Sequence, residues 1–463
     1  MIPRKTPHKG PELFSDFEFT LNQNNPLFVL ANKINWKLFE IEFTPLYRKG
    51  MGRPGKPIRL MAALLILKHL RDISDESVVA QFCENAYFQH FCGLSSWDNS
   101  PPCASSELVH FRNRIGRRGV ELILQESIRV NQDDSDKKDL HVCLDTTVQE
   151  KNITFPTDSK LHKKIIRNCL SIAQNENIQL RQRYTRTLKK LSVDQRFRNH
   201  ARNKKKAIKA DRRIKIIAGR LVRELERVLP SESQYRNELE LFAKVLAQKK
   251  GERNKIYSLH EPETCCISKG KEHKKYEFGN KASIARTHDG IIVGAMSFRN
   301  EYDGHTASET LEQVRRLTNR EVLTATADRG YRGATKIGNT TLFVPGKSRA
   351  GMSEYQKRKL RNIHRKRAAI EPVIGHLKQD HRMNRNFYKG IKGDEINIML
   401  AAAAFNFKRM MRHWLSRLLS ALSRIFNVLP ELAWRFIQAL WQYERAEMHI
   451  PFRKQLAYGG ILG

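Results

Sequence analysis

DLHVCLDTTVQ, residues 139–149, is the first stretch of the chain that reads as a β-strand, and its placement decides the fold. The apolar run through Val142, Cys143 and Leu144 stops at Asp145, after which the sequence turns polar and strongly basic. A carboxylate at the mouth of a buried strand costs free energy unless something cationic meets it. The surrounding chain leans the other way. Among its 463 residues Lys and Arg number 84 against 48 for Asp and Glu, a formal charge of +36.

Upstream of this strand, residues 1–135 read as all-helical. PIRLMAALLILKHLRDIS follows a Gly-Arg-Pro-Gly-Lys punctuation with apolar residues at helical spacing. SDESVVAQFCENAYFQHFCG runs from Ser74 as N-cap to Gly93 as stop, and ELVHFRNRIGRRGVELILQESIRV gives two further short helices. Such a set suits DNA binding or assembly. Downstream, residues 157–257 read as long helices without strand signals. Their centre, RNHARNKKKAIKADRRIKIIAGR at 198–220, holds ten Lys or Arg and one acid. Either it is a solvated helical arm or Lys204, Lys205, Lys206, Arg212 and Arg213 track phosphates; the net charge favours the second.

Strand signals resume after the insertion. KKYEFGNKASIART and GIIVGAMSFRN flank His288-Asp289-Gly290, a hairpin turn. A helix follows at about 306–317, then a strand in EVLTATADRGYRG ending on Asp328, then TTLFVPG. Helices occupy 353–380, 394–424 and about 428–446. With the insertion removed, the order is close to that of a ribonuclease-H-like core, a mixed five-stranded sheet with helices on both faces, built from 136–156 and 258–410, although the short helix usual between the last two strands is not evident. Residues 411–463 form a helical tail.

Composition excludes several classes. The longest apolar runs, MAALLIL and IMLAAAAF, are too short to span a bilayer, so no membrane partner is expected. No secretory signal is legible at the N-terminus. Seven cysteines without paired spacing indicate a reducing compartment and no disulfide framework. The Cys83, His90 and Cys92 cluster reads as buried side chains rather than a zinc site.

Three carboxylates stand out by position. Asp145 and Asp328 each close a strand, where sites in open α/β sheets assemble, and Glu371 lies in the helix after the last strand. Brought together, they would repel unless divalent cations joined them; two Mg²⁺ ions, with Mn²⁺ as substitute, would clamp a phosphoryl displacement. At about 100° per residue, His364, Arg367, Glu371 and Lys378 share one helix arc, with Pro372 marking a kink or a first turn. Each acid alone reads as a turn cap, and the arc alone as surface pairing.

DTTVQEKNITFPTDSKLHKKII, HKKYEFGNKASIA, NEYDGHT, TADRGYRG and RAAIEPVIGHLKQDHRM, in this order, resemble the bacterial insertion-sequence transposases of the IS-five family. The resemblance runs from about residue 15 to 410. It implies a DDE transposase of the bacterial cytoplasm and nucleoid. Its partners would be double-stranded DNA, at the terminal inverted repeats and the target, and further copies of itself. Asp145, Asp328 and Glu371 match the catalytic, metal-binding triad, and Arg367 and Lys378 match backbone-steadying positions. His364 stands where the family has tyrosine, and His305 and Arg329 are weaker site candidates. The other readings are a ribonuclease-H-like nuclease or resolvase that cuts without joining, or a silent DNA-binding descendant of a transposase.

Overall fold

The computed structural model describes residues 16–48, 54–132, 140–249, 254–268, 275–299, 301–331, 335–344 and 351–426, with a few single residues besides. The N-terminal helices follow their local signals. Ser74 accepts from the Ser77 amide to start Asp75–Glu84, but Asn85 caps a new helix, Ala86–Phe91, by accepting from Phe88, so the expected single helix is two. Ser105–Arg129 is broken at Gly116, whose φ of 56° and ψ of −158° leave helical space, giving the two expected segments.

The sheet is mixed. Its strands are β1 (Leu140–Lys151), β2 (Cys265–Ser268), β3 (Tyr276–Thr287), β4 (Ile292–Phe298), β5 (Val322–Thr326), β6 (Lys336–Ile337), β7 (Thr340–Phe343) and β8 (Arg385–Asn386). The five expected strands line up as β4-β3-β1-β5-β7; β2, β6 and β8 are short additions. β3 is antiparallel to β1 and β4, while β5 runs parallel to β1 and β7 parallel to β5. The β3–β4 turn is as expected, with Gly290 at φ 97°. This order fits a ribonuclease-H-like core.

One expectation fails usefully. Asp145 does not end β1: pairing with β3 continues to Glu150. What ends is the other edge. β5 pairs with β1 only from Leu140 to Cys143, and β8 joins at Glu150 and Lys151, so no strand among the described residues covers that edge between. Asp145 stands where this opening begins.

The helices at 1–135 do not build a core of their own. Ile58–Leu70 buries every residue but Arg59, which requires apolar neighbours on all sides. One continuous cluster joins Leu64, Phe111 and Ile123 to Val142, Ile284 and Val314, and on to Met399 and Phe407 of the long helix Gly390–Phe426. The insertion has a separate core. Helices Asp158–Asn175, Ala201–Val228 and Arg236–Ala247 pack through Ile165, Cys169, Ile217, Leu221 and Phe242.

Where the insertion leaves and rejoins the sheet, charge is buried. Lys151 Nζ lies 2.9 Å from Asp394 and 3.2 Å from Glu261, and it donates to the carbonyls of Tyr388 and Gly390. Asp394 also accepts from Asn280 and Asn386. No helix of the described residues is long and apolar enough to cross a membrane, and the seven cysteines are free.

Candidate active site

The parallel β1–β5 register fixes two of the three acids. Cys143 pairs with Thr326, so two residues further on each strand Asp145 and Asp328 come level. Asp145 Oδ1 accepts the Thr146 amide at 2.8 Å. Asp328 lies two residues past β5, and its Oδ1 accepts the Gly330 amide at 2.8 Å, capping the short turn Arg329–Tyr331. The turn-cap reading of Asp328 therefore holds, and the same cap fixes its carboxylate. Both aspartates are half-buried.

A fourth acid, Asp303, joins them. The helix expected from 306 begins at Asp303, so His305 is its third residue, exposed, with its ring near Tyr302. Asp303 Oδ1 accepts from Thr146 Oγ1 and pairs with Lys281 Nζ, both at 2.8 Å. Its first-turn position is favourable for an anion. A Cβ at Gly330 would sit 2.8 Å from Asp303 Oδ2 and 2.9 Å from Asp328 Oδ1, so those oxygens lie no more than about 6 Å apart around a gap only glycine leaves open. Beside them the Tyr331 hydroxyl is fully buried, close to Thr306 and Ser283 but meeting no partner at hydrogen-bonding geometry. Burial, with Asp303 and Asp145 adding, pushes its pKa up and keeps it protonated. Asp303 was legible as the acid of NEYDGHT, but the motif drew attention to its histidine; Lys281 and Tyr331 carried no separate signal.

Glu371 approaches differently. Pro372 has no amide to continue Glu354–Ala368, and a new helix, Ile370–Asp380, starts with Glu371 in its first turn. Ile370, Val373 and Leu377 bury its inner stripe. Cys143 Sγ reaches the Lys366 carbonyl at 3.5 Å, so the helix junction covers the face of β1 that alternates through Cys143 and Asp145. The Glu371 side chain is itself 63% exposed and turned to Arg367 Nη2 at 3.5 Å. Lys378 is half-buried two turns on, Arg329 is exposed, and the His364 side chain lies outside the described residues.

Lys204, Lys205, Lys206, Arg212 and Arg213 are all exposed on Ala201–Val228, opposite the buried stripe Ala207, Ala210, Ile214, Ile217 and Leu221. Lys206 pairs with Asp194 at 3.0 Å. This is the amphipathic division that a basic outer surface requires.

Among the described residues, no three or more His, Cys, Asp or Glu side chains are gathered closely enough to hold a metal ion. The pair bracketing Gly330 nevertheless fits one chemically. It is an all-oxygen carboxylate set, suited to a hard divalent cation that takes the rest of its shell from water or phosphate.

Comparison with known proteins bears on the same segments. Residues 15–114 match the family described as transposase domain (DUF772), and residues 258–407 match transposase DDE domain. The chain is similar to "Uncharacterized protein ORF8 in nfe locus" of Rhizobium meliloti, with 37% identity over 206 residues, 44% of this chain and 99% of that protein. No solved structure matches.

Proposed function

We propose that this chain, which belongs to the DDE transposases, cuts DNA at the terminal inverted repeats of an insertion sequence of the IS-five family and joins the freed ends to target DNA. The observation that carries the reading is that Asp145 on β1 and Asp328 just past β5 each lie two residues beyond the last β1–β5 pair, Cys143–Thr326, at the edge where β5 stops, with the helix junction before Glu371 over the same face. Asp145, Asp328 and Glu371 form the catalytic set, with Asp303 beside it. DDE transposases generally use divalent metal ions; two Mg²⁺ ions bound by these carboxylates would polarise the scissile phosphate and stabilise the attacking and leaving oxygens.

The remaining roles belong to the chain. Lys281 offsets the charge of Asp303, easing its repulsion with Asp328 across the Gly330 gap. Arg367 restrains Glu371, and with Lys378 it steadies the DNA backbone. Buried Tyr331 supplies a neutral wall beside Asp145 and Asp303. Water attacks phosphorus at the element's end, releasing a 3′-hydroxyl; that hydroxyl then attacks a target phosphodiester, displacing its 3′-oxygen. Lys204, Lys205, Lys206, Arg212 and Arg213 track duplex phosphates, and the reaction's two ends call for more than one copy of the chain. The helices at 1–135 bind DNA or assemble, 136–156 and 258–410 catalyse, and 157–257 serves as a DNA-tracking arm. The site of action is the bacterial nucleoid.

The test is Mg²⁺-dependent end cleavage on the DNA flanking the gene, comparing wild type with Asp328→Ala. Loss of a carboxylate from a charge-stabilising site should lower the rate on the order of a hundredfold or more. Near-normal cutting by the variant removes Asp328 from the mechanism. A pre-cleaved end separates transposase from nuclease: no joined product means that the chain only cuts.

A further inference from the structure

A cavity of about 290 Å³ opens between the β3–β4 turn and the helices Ile370–Asp380 and Gly390–Phe426. Its walls carry Arg286, Lys408, Arg409 and Arg412 against Asp289 and Asp380. Asp380 is already engaged, by His376 at 3.0 Å and Lys408 at 3.3 Å. Arg409 is tied to the framework, donating to Asn131 Oδ1 and to the Asp289 carbonyl. Arg286 is different. Arg286 lines the cavity beside a register shift in the β3–β4 pairing, and its Nε is shut off from solvent with no hydrogen-bond partner.

The two guanidiniums meet across Gly290. A Cβ there would lie 3.2 Å from Arg286 Nη2 and 3.4 Å from Arg409 Nε. Burial pulls both pKa values down, and for Arg409 the nearby Arg286 adds to the effect. Two partly desolvated cations side by side, one with an unmatched donor, are costly until an anion bridges them. The planar Arg fork suits a tetrahedral oxyanion with two oxygens to offer.

Location narrows the anion. Arg286 pairs with Cys143, one strand repeat from the Ile284–Asp145 pair, so it shares a sheet face with Asp145. Val373, His376 and Asp380 line the cavity on the helix that begins beside Glu371. His376 and Asp380 are five and nine residues beyond Glu371, about 8–14 Å, which spans roughly two to four nucleotides of a strand. We propose that Arg286 and Arg409 bind a backbone phosphodiester of the DNA strand held at the carboxylates, a few nucleotides from the cut. This rests on the transposase reading above.

Fluorescence anisotropy with a mixed-sequence 30-bp duplex (about three helical turns) tests it, comparing wild type, Arg286→Met and Arg286→Lys across a salt series, with thermal unfolding of each protein alone. Arg286→Met should bind roughly tenfold more weakly and lower the slope of log K against log salt by about one. Arg286→Lys keeps the charge without the fork and should fall between. Because Arg286→Met removes a partly desolvated cation with an unmatched Nε donor, its free protein should unfold at or above the wild-type temperature. A structural role for Arg286 predicts the opposite: lower unfolding temperature with an unchanged salt slope. Wild type that binds duplex while Arg286→Met matches it in affinity and slope overturns the pocket alone. Wild type that binds no duplex overturns the transposase reading as well.

Discussion

Replacing Lys151 with Met leaves the shape of the side chain nearly intact but deletes the ammonium from a site only 1% exposed. Asp394, fully buried, keeps two amide donors from Asn280 and Asn386, and Glu261 keeps the Gly390 amide. Neither carboxylate keeps a counter-charge. Removing one partner of a buried ion pair costs about 3–5 kcal/mol, because the remaining charge stays desolvated. For a chain of this size that corresponds to a fall in unfolding temperature of about 3–5 °C. The deficit should depend on pH with a known sign. Burial already raises the Asp394 pKa even with Lys151 present, and without it the rise is larger. A carboxyl with a raised folded pKa binds protons more readily when folded, so lowering the pH should stabilise the variant relative to wild type. Adding Asp394→Asn should restore part of the loss. Unfolding monitored from pH 5 to 8 decides the matter: a variant within about 1 °C of wild type throughout, or a deficit that grows on acidification, refutes a charge-based role.

Two further outcomes follow from other parts of the molecule. Asp303→Asn should weaken cleavage on the order of tenfold and raise the Mg²⁺ concentration needed, since it removes a carboxylate charge near Asp328 and unpairs Lys281 while keeping an acceptor for Thr146; an unchanged Mg²⁺ titration removes Asp303 from the site. His90, buried and stacked on Phe28 at 4.1 Å, has its pKa pulled down to about 4 by burial, with Arg59 adding. Between pH 6.5 and 4 the unfolded chain binds a proton that the folded chain refuses, so stability rises with pH across that window. His90→Phe should be more stable than wild type by about 2 kcal/mol at pH 5 and lose the advantage by pH 7; denaturant unfolding at the two pH values checks it.

Local signals carried the elements that local chemistry controls. Ser74, Gly93, the His288–Gly290 turn and the restart at Pro372 each depend on a few neighbouring residues, and each was readable. The span of β1 was nearly readable, 139–149 against Leu140–Lys151, but not that Asp145 lies inside it, because pairing past Asp145 depends on β3, which arrives more than a hundred residues later. Lys151 carried no signal of its own, and its partners Glu261 and Asp394 lie more than a hundred residues further along the chain. The largely apolar helix Ile58–Leu70 announced burial without announcing that the cover would include Gly390–Phe426. Asp145 and Asp328 were picked out by strand position, whereas the start of the helix at Asp303, three residues earlier than expected, was not.

The single cluster running from Leu27 to Met410 sets a condition on biosynthesis. Residues near Leu64 and Phe111 wait for partners around 399–407 before they can be sealed from water. At ordinary translation speeds of about 5–20 residues per second, roughly 300 residues of delay leave that apolar surface uncovered for about 15–60 s. A nascent chain of this kind depends on holdase chaperones while the ribosome works, and truncated products ending before 390 should aggregate instead of yielding a stand-alone helical head.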